Sequence, residues 1–415
     1  MKTIHFLVIV FVLAGMNILL FSLFIQGNNV PRAGVSPAQE TGMNYPELDY
    51  LRTSPPQSFE ELSRYFSGLA KEKGGAYAYE VLKRAPIPPG TDVHLLAHVV
   101  GDILYEQKGL EGIKVCTEDF RNACSHSIVI GLFFEQGEEA LPQISKACYE
   151  APGGSGAYTM CFHGLGHGIL AYALYNLKEA VELCTKTGTS QYGYQESSQC
   201  IGGTIMEMIG GGAHDPDLWQ EQRPHYFKKD TPLYPCSSDL IPNTAKSMCY
   251  VYLTPHLFEA AGADLANPMP QHYEKAFEFC DKIPFSEFGN RDACYGGFGK
   301  EFVVLAQDRD IRNIAVMTKE QLKNVYEWCL LADDSEGTIS CLRHATNSLY
   351  WGGENDRGAA ILFCSVLKGP SHQRPCFANL IGQVQSYIQD AGYRKEFCKE
   401  IPNSYQEECR LLLLP

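Results

Sequence analysis

The chain carries little positive charge, and none of it is clustered. It has 34 lysine and arginine residues against 48 aspartate and glutamate residues, so the formal net charge over 415 residues is −14. Basic residues occur together only in short pairs such as Lys228-Lys229. A surface that binds nucleic acid needs clustered basic groups to neutralise phosphates. The composition therefore argues against a nucleic-acid partner.

The sequence also lacks the short motifs of several common chemistries. It has no C-x-x-C-H for covalent haem, no H-E-x-x-H, no P-loop and no G-x-S-x-G nucleophile motif. Closely spaced C-x2-4-C pairs, which thiolate zinc sites require, are missing as well. No catalytic residue can be assigned from motifs, and whether the protein is an enzyme stays open at this point.

Charge is missing altogether from one long stretch near the N-terminus. Phe6 to Ile25 is a run of twenty uncharged, mostly apolar residues, which is the length of a membrane-spanning helix. Lys2 favours a cytoplasmic N-terminus, with the bulk of the chain on the periplasmic or extracellular side. We expect residues 1–26 to be a single-pass membrane anchor, the alternative being a cleaved signal segment. Residues 27–57 contain Pro, Gly and Asn and are expected to form a flexible tether.

Cysteine, in contrast, is abundant, and its spacing is regular. Within successive pairs 7 to 15 residues intervene, and between pairs 21 to 35 intervene. Disulfides persist in oxidising compartments, which agrees with an extracytoplasmic location. We predict eight sequential disulfides: Cys116–Cys124, Cys148–Cys161, Cys184–Cys200, Cys236–Cys249, Cys280–Cys294, Cys329–Cys341, Cys364–Cys376 and Cys398–Cys409.

The cysteines mark a helical repeat. The residues before each first cysteine, as in LKEAVELC and YEKAFEFC, have the apolar spacing of an amphipathic helix. The residues after each second cysteine, as in CFHGLGHG and CYGGFGKE, begin another. First cysteines recur after 32 to 52 residues, a period typical of stacked helical hairpins. In period and cysteine placement the chain resembles the Sel1-like and tetratricopeptide (TPR) arrays, although their Leu-Gly and Trp signatures are not in register.

The expected fold is therefore all-α: a right-handed array of helical hairpins, a TPR/Sel1-like solenoid, stapled by sequential disulfides. A capping box at Ser58 and Glu61 predicts the start of the first helix. We place the N-terminal repeats at 58–209, a long polar loop insertion at 210–235, and the C-terminal disulfide-stapled repeats at 236–415.

Histidines occupy equivalent positions of consecutive repeats. His126 and His163 each follow the second cysteine of a pair by two residues, and His163 and His167 are spaced like His94 and His98. Two histidines four residues apart lie on one helix face. A carboxylate, Glu207, follows in the next repeat.

This register predicts a metal site. The candidate ligands are His94, His98, His126, His163, His167 and Glu207, binding one or two ions. A set made almost entirely of imidazoles suits copper, zinc or iron rather than calcium or magnesium. The leading hypothesis is a membrane-tethered extracytoplasmic metal-binding protein, whose C-terminal repeats serve as a scaffold or dock a protein partner. Two alternatives remain open: a metal-free interaction scaffold, and a metal-dependent hydrolase or oxidase.

Overall fold

The structure is a computed structural model of the 415-residue chain, and it describes residues 45–117, 119–152, 154–188, 195–210, 215–264, 268–332, 335–352 and 357–414. Within these ranges the chain is helical and contains no β-strand. The expected anchor and the first part of the expected tether lie outside the described residues. None of the helices within them is long and apolar enough to cross a membrane.

Twenty α-helices follow one another in the described ranges. They are α1 Glu47–Thr53, α2 Phe59–Lys73, α3 Gly75–Arg84, α4 Val93–Lys108, α5 Asp119–Gln136, α6 Leu141–Glu150, α7 Gly154–Tyr172, α8 Leu177–Cys184, α9 Gln195–Gly210, α10 Pro216–Tyr226, α11 Lys246–Tyr252, α12 Thr254–Ala260, α13 Pro270–Asp281, α14 Phe288–Leu305, α15 Lys319–Cys329, α16 Ser335–Gly352, α17 Arg357–Val366, α18 Pro370–Tyr387, α19 Ala391–Glu400 and α20 Asn403–Leu413. Short 3-10 helices cover Gly109–Val115, Gly137–Ala140, Phe285–Glu287 and Ile311–Val316.

The helices pack largely in chain order. α4, α5, α7, α9, α11, α14, α16, α18 and α20 form a row in which each contacts the next, and α6, α8, α13, α15, α17 and α19 each pack against the helix that follows. Their apolar spacing provides the core. In α4 the buried apolar residues include Val93, Leu96, Ala97, Val100 and Leu104, which lie along one face of the helix.

All sixteen cysteines form the eight predicted disulfides, with Cα–Cα distances of 5.4 to 5.7 Å. The helix boundaries differ from the prediction. In most pairs the second cysteine does not begin its helix but lies one to two turns inside it, as Cys161 does in α7. Cys116 and Cys236 also differ, because neither ends an α-helix. The disulfide therefore joins the helices through their packed sides.

Two of the predicted boundaries need correction. The tether expected to continue to residue 57 already contains α1, whose Leu48 and Leu51 are buried against the following helices. The long loop expected at 210–235 contains α10, which begins at an Asp215 cap that accepts a hydrogen bond from the Leu218 amide. Trp219 Nε1 in α10 donates to the Met208 carbonyl, so this segment is fixed to α9.

The early helices also contact a distant part of the chain. The Gly90 amide donates to the Asp308 carbonyl at 2.9 Å. Arg312 Nη1 donates to the carbonyls of Leu82 and Ala85, at 2.9 and 2.6 Å. The row of helices therefore curves far enough for the segment after α14 to meet the end of α3.

Candidate metal centre

Three neighbouring helices bring five histidines together. α4 carries His94 and His98, α5 carries His126, and α7 carries His163 and His167. The ring centroid of His126 lies 5.5 to 6.1 Å from the centroids of the other four. We call these five residues the histidine cluster. The positions that the sequence aligned in register thus converge in space.

The close approach of these helices depends on glycine. A Cβ atom added at Gly164 would lie 2.3 Å from Cδ2 of His126. One added at Gly166 would lie 1.9 Å from the Cys200 carbonyl oxygen, and one at Gly203 would lie 2.0 Å from the His163 carbonyl oxygen. The glycines of CFHGLGHG therefore serve packing, which lets the rings of adjacent helices approach one another.

One nitrogen from each of His94, His98 and His126 lies within 4.8 Å of the others, and these three residues could hold a metal ion. The Nε2 atoms of His94 and His98 are 3.3 Å apart. Zn–N bonds of 2.0–2.1 Å in a tetrahedral site place two ligand nitrogens about 3.3 Å apart. The spacing of this pair therefore suits a shared ion.

The hydrogen bonds of these two rings indicate which nitrogens carry protons. His94 Nδ1 lies 2.6 Å from the Phe120 carbonyl, which can only accept, so Nδ1 is the protonated nitrogen. Ser127 Oγ donates to the His98 carbonyl at 3.1 Å and is 3.2 Å from His98 Nδ1. With its one proton used there, the hydroxyl accepts from His98 Nδ1. Two bare Nε2 lone pairs then face each other, an arrangement that a cation between them stabilises.

The alternative assignment reverses the second hydrogen bond. If the Ser127 hydroxyl donates to His98 Nδ1, then His98 Nε2 carries a proton and donates it to His94 Nε2. That pattern satisfies both rings without a metal. In the first assignment the space between the two Nε2 atoms can hold a cation, and in the second a proton occupies it. A measurement of metal binding distinguishes the two assignments.

His126 has no such alternative among the described residues. Its side chain is fully buried, and neither ring nitrogen has a hydrogen-bond partner. A buried polar group left without a partner costs about 1–3 kcal/mol. A metal ion would supply the missing partner, and His126 lies at the centre of the cluster, where it could do so.

The second pair repeats the first. The Nε2 atoms of His163 and His167 are also 3.3 Å apart. His167 Nδ1 lies 3.0 Å from Oε2 of Glu207, whose Oε1 accepts from the Tyr175 hydroxyl at 3.0 Å. Glu207 was predicted as a direct ligand, but the structure places it behind His167, where it fixes the ring. Such carboxylate–histidine pairs support metal-binding imidazoles.

Burial favours the neutral form of three of the five imidazoles, those of His94, His126 and His163. It lowers the pKa of His94 to about 4, and it holds the pKa values of His126 and His163 well below 6.5. The charges of neighbouring histidines lower the pKa of His126 further. Neutral imidazole is the form that binds metals, so at neutral pH these rings are ready to act as ligands.

Several contributors to the site were not predicted from the sequence. They are the Phe120 carbonyl, Ser127, Tyr175 and Tyr252, whose ring stacks on His163 with centroids 4.7 Å apart. No spacing rule identifies them, because each reaches the cluster through tertiary contact. The position of Ser127 beside His126 on the same helix was the one available signal.

Two surface pockets lie away from the cluster. One, of about 270 Å³, is lined by residues of α16 and α18, including Arg343 and His372. The other, of about 430 Å³, is lined by residues around α8, including Glu138 and Lys186. Neither pocket is lined by a residue of the histidine cluster.

Comparison with known proteins gives no family for the chain. No family model matches it, no curated protein is similar to it in sequence, and no solved structure matches its fold. Assignment of a function therefore rests on the histidine cluster itself.

Proposed function

We propose that this protein binds one or two transition-metal ions through the histidine cluster. The observation that carries the proposal is the approach of His94, His98 and His126, with ligand nitrogens within 4.8 Å of one another. The buried, unpartnered imidazole of His126 at their centre is the feature that a metal-free fold explains least well.

The first ion would bind to His94, His98 and His126. A second would bind to His163 and His167, whose Nε2 atoms have the same 3.3 Å spacing. His126 lies between the two pairs and has two free nitrogens, which allows it to serve either ion. In this proposal Glu207 is an outer partner that orients His167 rather than a ligand.

The ligand set favours copper, zinc or iron. Imidazole nitrogen suits these ions, whereas calcium and magnesium prefer oxygen ligands. Neutral ligands leave most of the metal charge uncompensated, which would make the ion a Lewis acid or a redox centre. Catalysis as a hydrolase or oxidase would need an open coordination position in addition.

We further propose that the helices form a right-handed hairpin solenoid of the TPR and Sel1 type, tethered to the membrane by residues 1–26. Packing in chain order and the sequential disulfides support the repeat, and the disulfides support an oxidising, extracytoplasmic location. The C-terminal repeats, 236–415, would then be a scaffold or a docking surface for a protein partner.

Metal content tests the proposal directly. The full chain, with its disulfides intact, is stripped with a chelator, incubated with zinc, copper or iron, dialysed, and analysed by mass spectrometry for bound metal. We expect one to two ions per chain, and at least tenfold weaker binding in His98→Ala and His126→Ala. His225→Ala, a change at an exposed histidine of α10, is the control and should retain full stoichiometry.

The role of Glu207 is tested in the same assay. Removing an outer-shell partner typically costs 10- to 100-fold in metal affinity, and we expect that loss in Glu207→Gln. Glu196→Gln is the matched control, because Glu196 lies in the same helix, is fully buried, and accepts from the Tyr158 hydroxyl at 2.9 Å. Stoichiometry well below one ion, or binding insensitive to the cluster variants, would contradict the proposal and favour a metal-free scaffold.

A further inference from the structure

A second group of charged side chains lies beside the histidine cluster. α5 begins with an irregular turn in which Phe120, Arg121 and Asn122 all have left-handed backbone angles, with φ of 56°, 54° and 65°. Such conformations are costly for residues other than glycine and concentrate at functional sites. The turn directs the Phe120 carbonyl to His94 and places Arg121 next to the cluster.

Arg121 is only partly satisfied. Its Nη2 donates to Ser348 Oγ of α16 at 3.2 Å, but its buried Nε has no hydrogen-bond partner among the described residues. The guanidinium therefore holds an unused donor inside the protein. An unpaired charged donor is more costly to bury than a neutral one, and its usual partner is an oxyanion.

Lys300 approaches the same region from α14. Its Nζ lies 4.7 Å from the centroid of the Tyr252 ring, and Tyr252 stacks on His163. Within the described part of the chain, no carboxylate lies within ion-pair distance of Lys300. The pKa of Lys300 is lowered to about 8: burial is the main cause, Glu301 opposes the shift, and the positive charge of Arg121 adds to it.

The charges in this region do not balance. Glu301 is buried, and its negative charge raises the pKa of both Arg121 and Lys300. A carboxylate oxygen of Glu301 also lies 3.8 Å from Arg309 Nη1. Asp92, the other carboxylate that acts on Arg121, is exposed at the start of α4. Arg121 and Lys300 thus face one buried carboxylate, which Arg309 also contacts, and a bound metal ion would add further positive charge.

We propose that Arg121 and Lys300 form a binding site for a small oxyanion of the carboxylate or phosphate type, next to the metal centre. This inference extends the proposed function. Only the presence of a metal ion beside the anion rests on that proposed function. The planar guanidinium offers Nε and its terminal nitrogens to two oxygens of one anion, and the ammonium group adds a point charge. Both residues are partly exposed, whereas Arg121 Nε itself is buried, so an anion bound to that nitrogen would be largely withdrawn from solvent.

Calorimetric titration of the metal-free full chain with sodium phosphate and with sodium acetate tests the site. We expect saturable binding of one anion per chain, and the relative affinities of the two salts distinguish a phosphate site from a carboxylate site. Lys300→Met should weaken the binding at least tenfold, and so should Arg121→Gln. Lys300→Met is the decisive variant, because the contact it removes is with the Tyr252 ring and the fold should tolerate the change.

Lys282→Met is the matched control. Lys282 Nζ also lies over an aromatic ring, 4.8 Å from the centroid of Phe279, but its side chain is exposed and belongs to another part of the molecule. Its anion affinity should equal that of the unmodified chain. The proposal is overturned if neither salt binds, if sodium chloride competes equally well, or if the two lysine variants behave alike.

The metal-loaded chain separates this proposal from the previous one. Acetate binding that appears only with metal and ignores Lys300→Met would assign the anion to the metal alone and refute an Arg121–Lys300 site. Saturable binding to a chain that takes up no metal would instead refute the metal centre and leave the anion site standing.

Discussion

His126 is the histidine of the cluster for which a bound ion matters most, because both of its ring nitrogens are buried without a hydrogen-bond partner among the described residues. In the metal-free protein this unpartnered imidazole lowers the stability of the fold. An apolar side chain of similar size removes the unsatisfied nitrogens. We therefore expect His126→Leu to raise the free energy of unfolding of the metal-free chain by about 1–3 kcal/mol. The same change should abolish any stabilisation by added metal. Thermal denaturation with and without metal measures both effects.

The opposite signs of these two effects make the test specific. His225→Leu, at an exposed position, should change neither the stability of the metal-free chain nor the stabilisation by added metal. A His126→Leu chain that is less stable without metal, and that still gains stability when metal is added, would show that the imidazole has a structural role instead.

The pH dependence of the metal-free chain follows from the same residues. An unfolded histidine has a pKa of about 6.5, whereas burial lowers the pKa of His94 to about 4 and holds those of His126 and His163 well below the usual value. Below pH 6.5 the unfolded chain takes up protons that the folded chain cannot, so stability is full above that pH and falls toward pH 4. Each such histidine contributes a slope of about 1.4 kcal/mol per pH unit.

Urea denaturation at several pH values between 4 and 7.5 measures this slope. Carboxylates also titrate in the lower part of the range, and comparison with His126→Leu removes their contribution. The variant should show a slope smaller by about 1.4 kcal/mol per pH unit, because it lacks one of the three groups. Equal slopes for the two chains would show that His126 titrates normally in the folded state.

At the scale of the helices, glycine sets how closely α7 approaches α9. Ala in place of Gly166 would put a Cβ 1.9 Å from a backbone carbonyl, which only a displacement of the helices relieves. We expect Gly166→Ala to destabilise the protein by about 3 kcal/mol, in the upper part of the range for overpacking, and to weaken metal binding through His163 and His167. Chemical denaturation and the metal assay measure the two effects.

Gly382 in α18 is the control for this change. A Cβ there would meet nothing within 4 Å, so Gly382→Ala should stabilise its helix by about 0.5–1 kcal/mol. If both alanine variants stabilise the chain, the contact between α7 and α9 is not limited by Gly166.

The helices could be predicted from the sequence because the buried face of each helix shows as a regular spacing of apolar residues, and the cysteines lie at regular positions relative to the helices. The boundaries of α1 and α10 could not. α1 is short and polar enough to resemble a linker, and its burial depends on a partner, Lys73 in α2, that forms an ion pair with Glu47. α10 lies in a stretch rich in proline and charge, and Arg223 secures it by donating to the Ile209 carbonyl.

The histidine cluster was predictable for a related reason, since the repeat placed its residues in register. Its supporting residues were not. Glu207 lies one position beyond the register of His167 and is predicted as a ligand, but one of its oxygens contacts His167 Nδ1 and the other accepts from the Tyr175 hydroxyl. The position of Arg121 beside the cluster could not be predicted from the sequence, because a left-handed turn within a helical segment produces no regular spacing of residue types.

At the scale of the whole molecule, Arg312 joins the segment after α14 to the early helices. Its guanidinium donates to the Leu82 and Ala85 carbonyls at the end of α3 and pairs with Asp310. We expect Arg312→Met to release this contact and to accelerate amide hydrogen exchange around residues 82–90 at least tenfold, because the Gly90 hydrogen bond to Asp308 would open with it. Mass-spectrometric exchange resolves the region.

Arg357→Met is the counterpart at a similar ion pair, with Glu400, near the C-terminal end of the row. It should change exchange only in α17 and α19. If Arg312→Met leaves residues 82–90 as protected as before, the contact between the end of α3 and the segment after α14 does not hold the curvature.

X-ray absorption spectroscopy of the metal-loaded full chain tests the central claim most directly, because it reports the atoms bound to the ion. With every cysteine in a disulfide and Glu207 behind His167, the first shell should contain nitrogen at about 2.0 Å with the multiple scattering of imidazole. At least three imidazoles per ion are expected. A shell of sulfur, or of oxygen without imidazole scattering, would contradict a metal centre built from the histidine cluster.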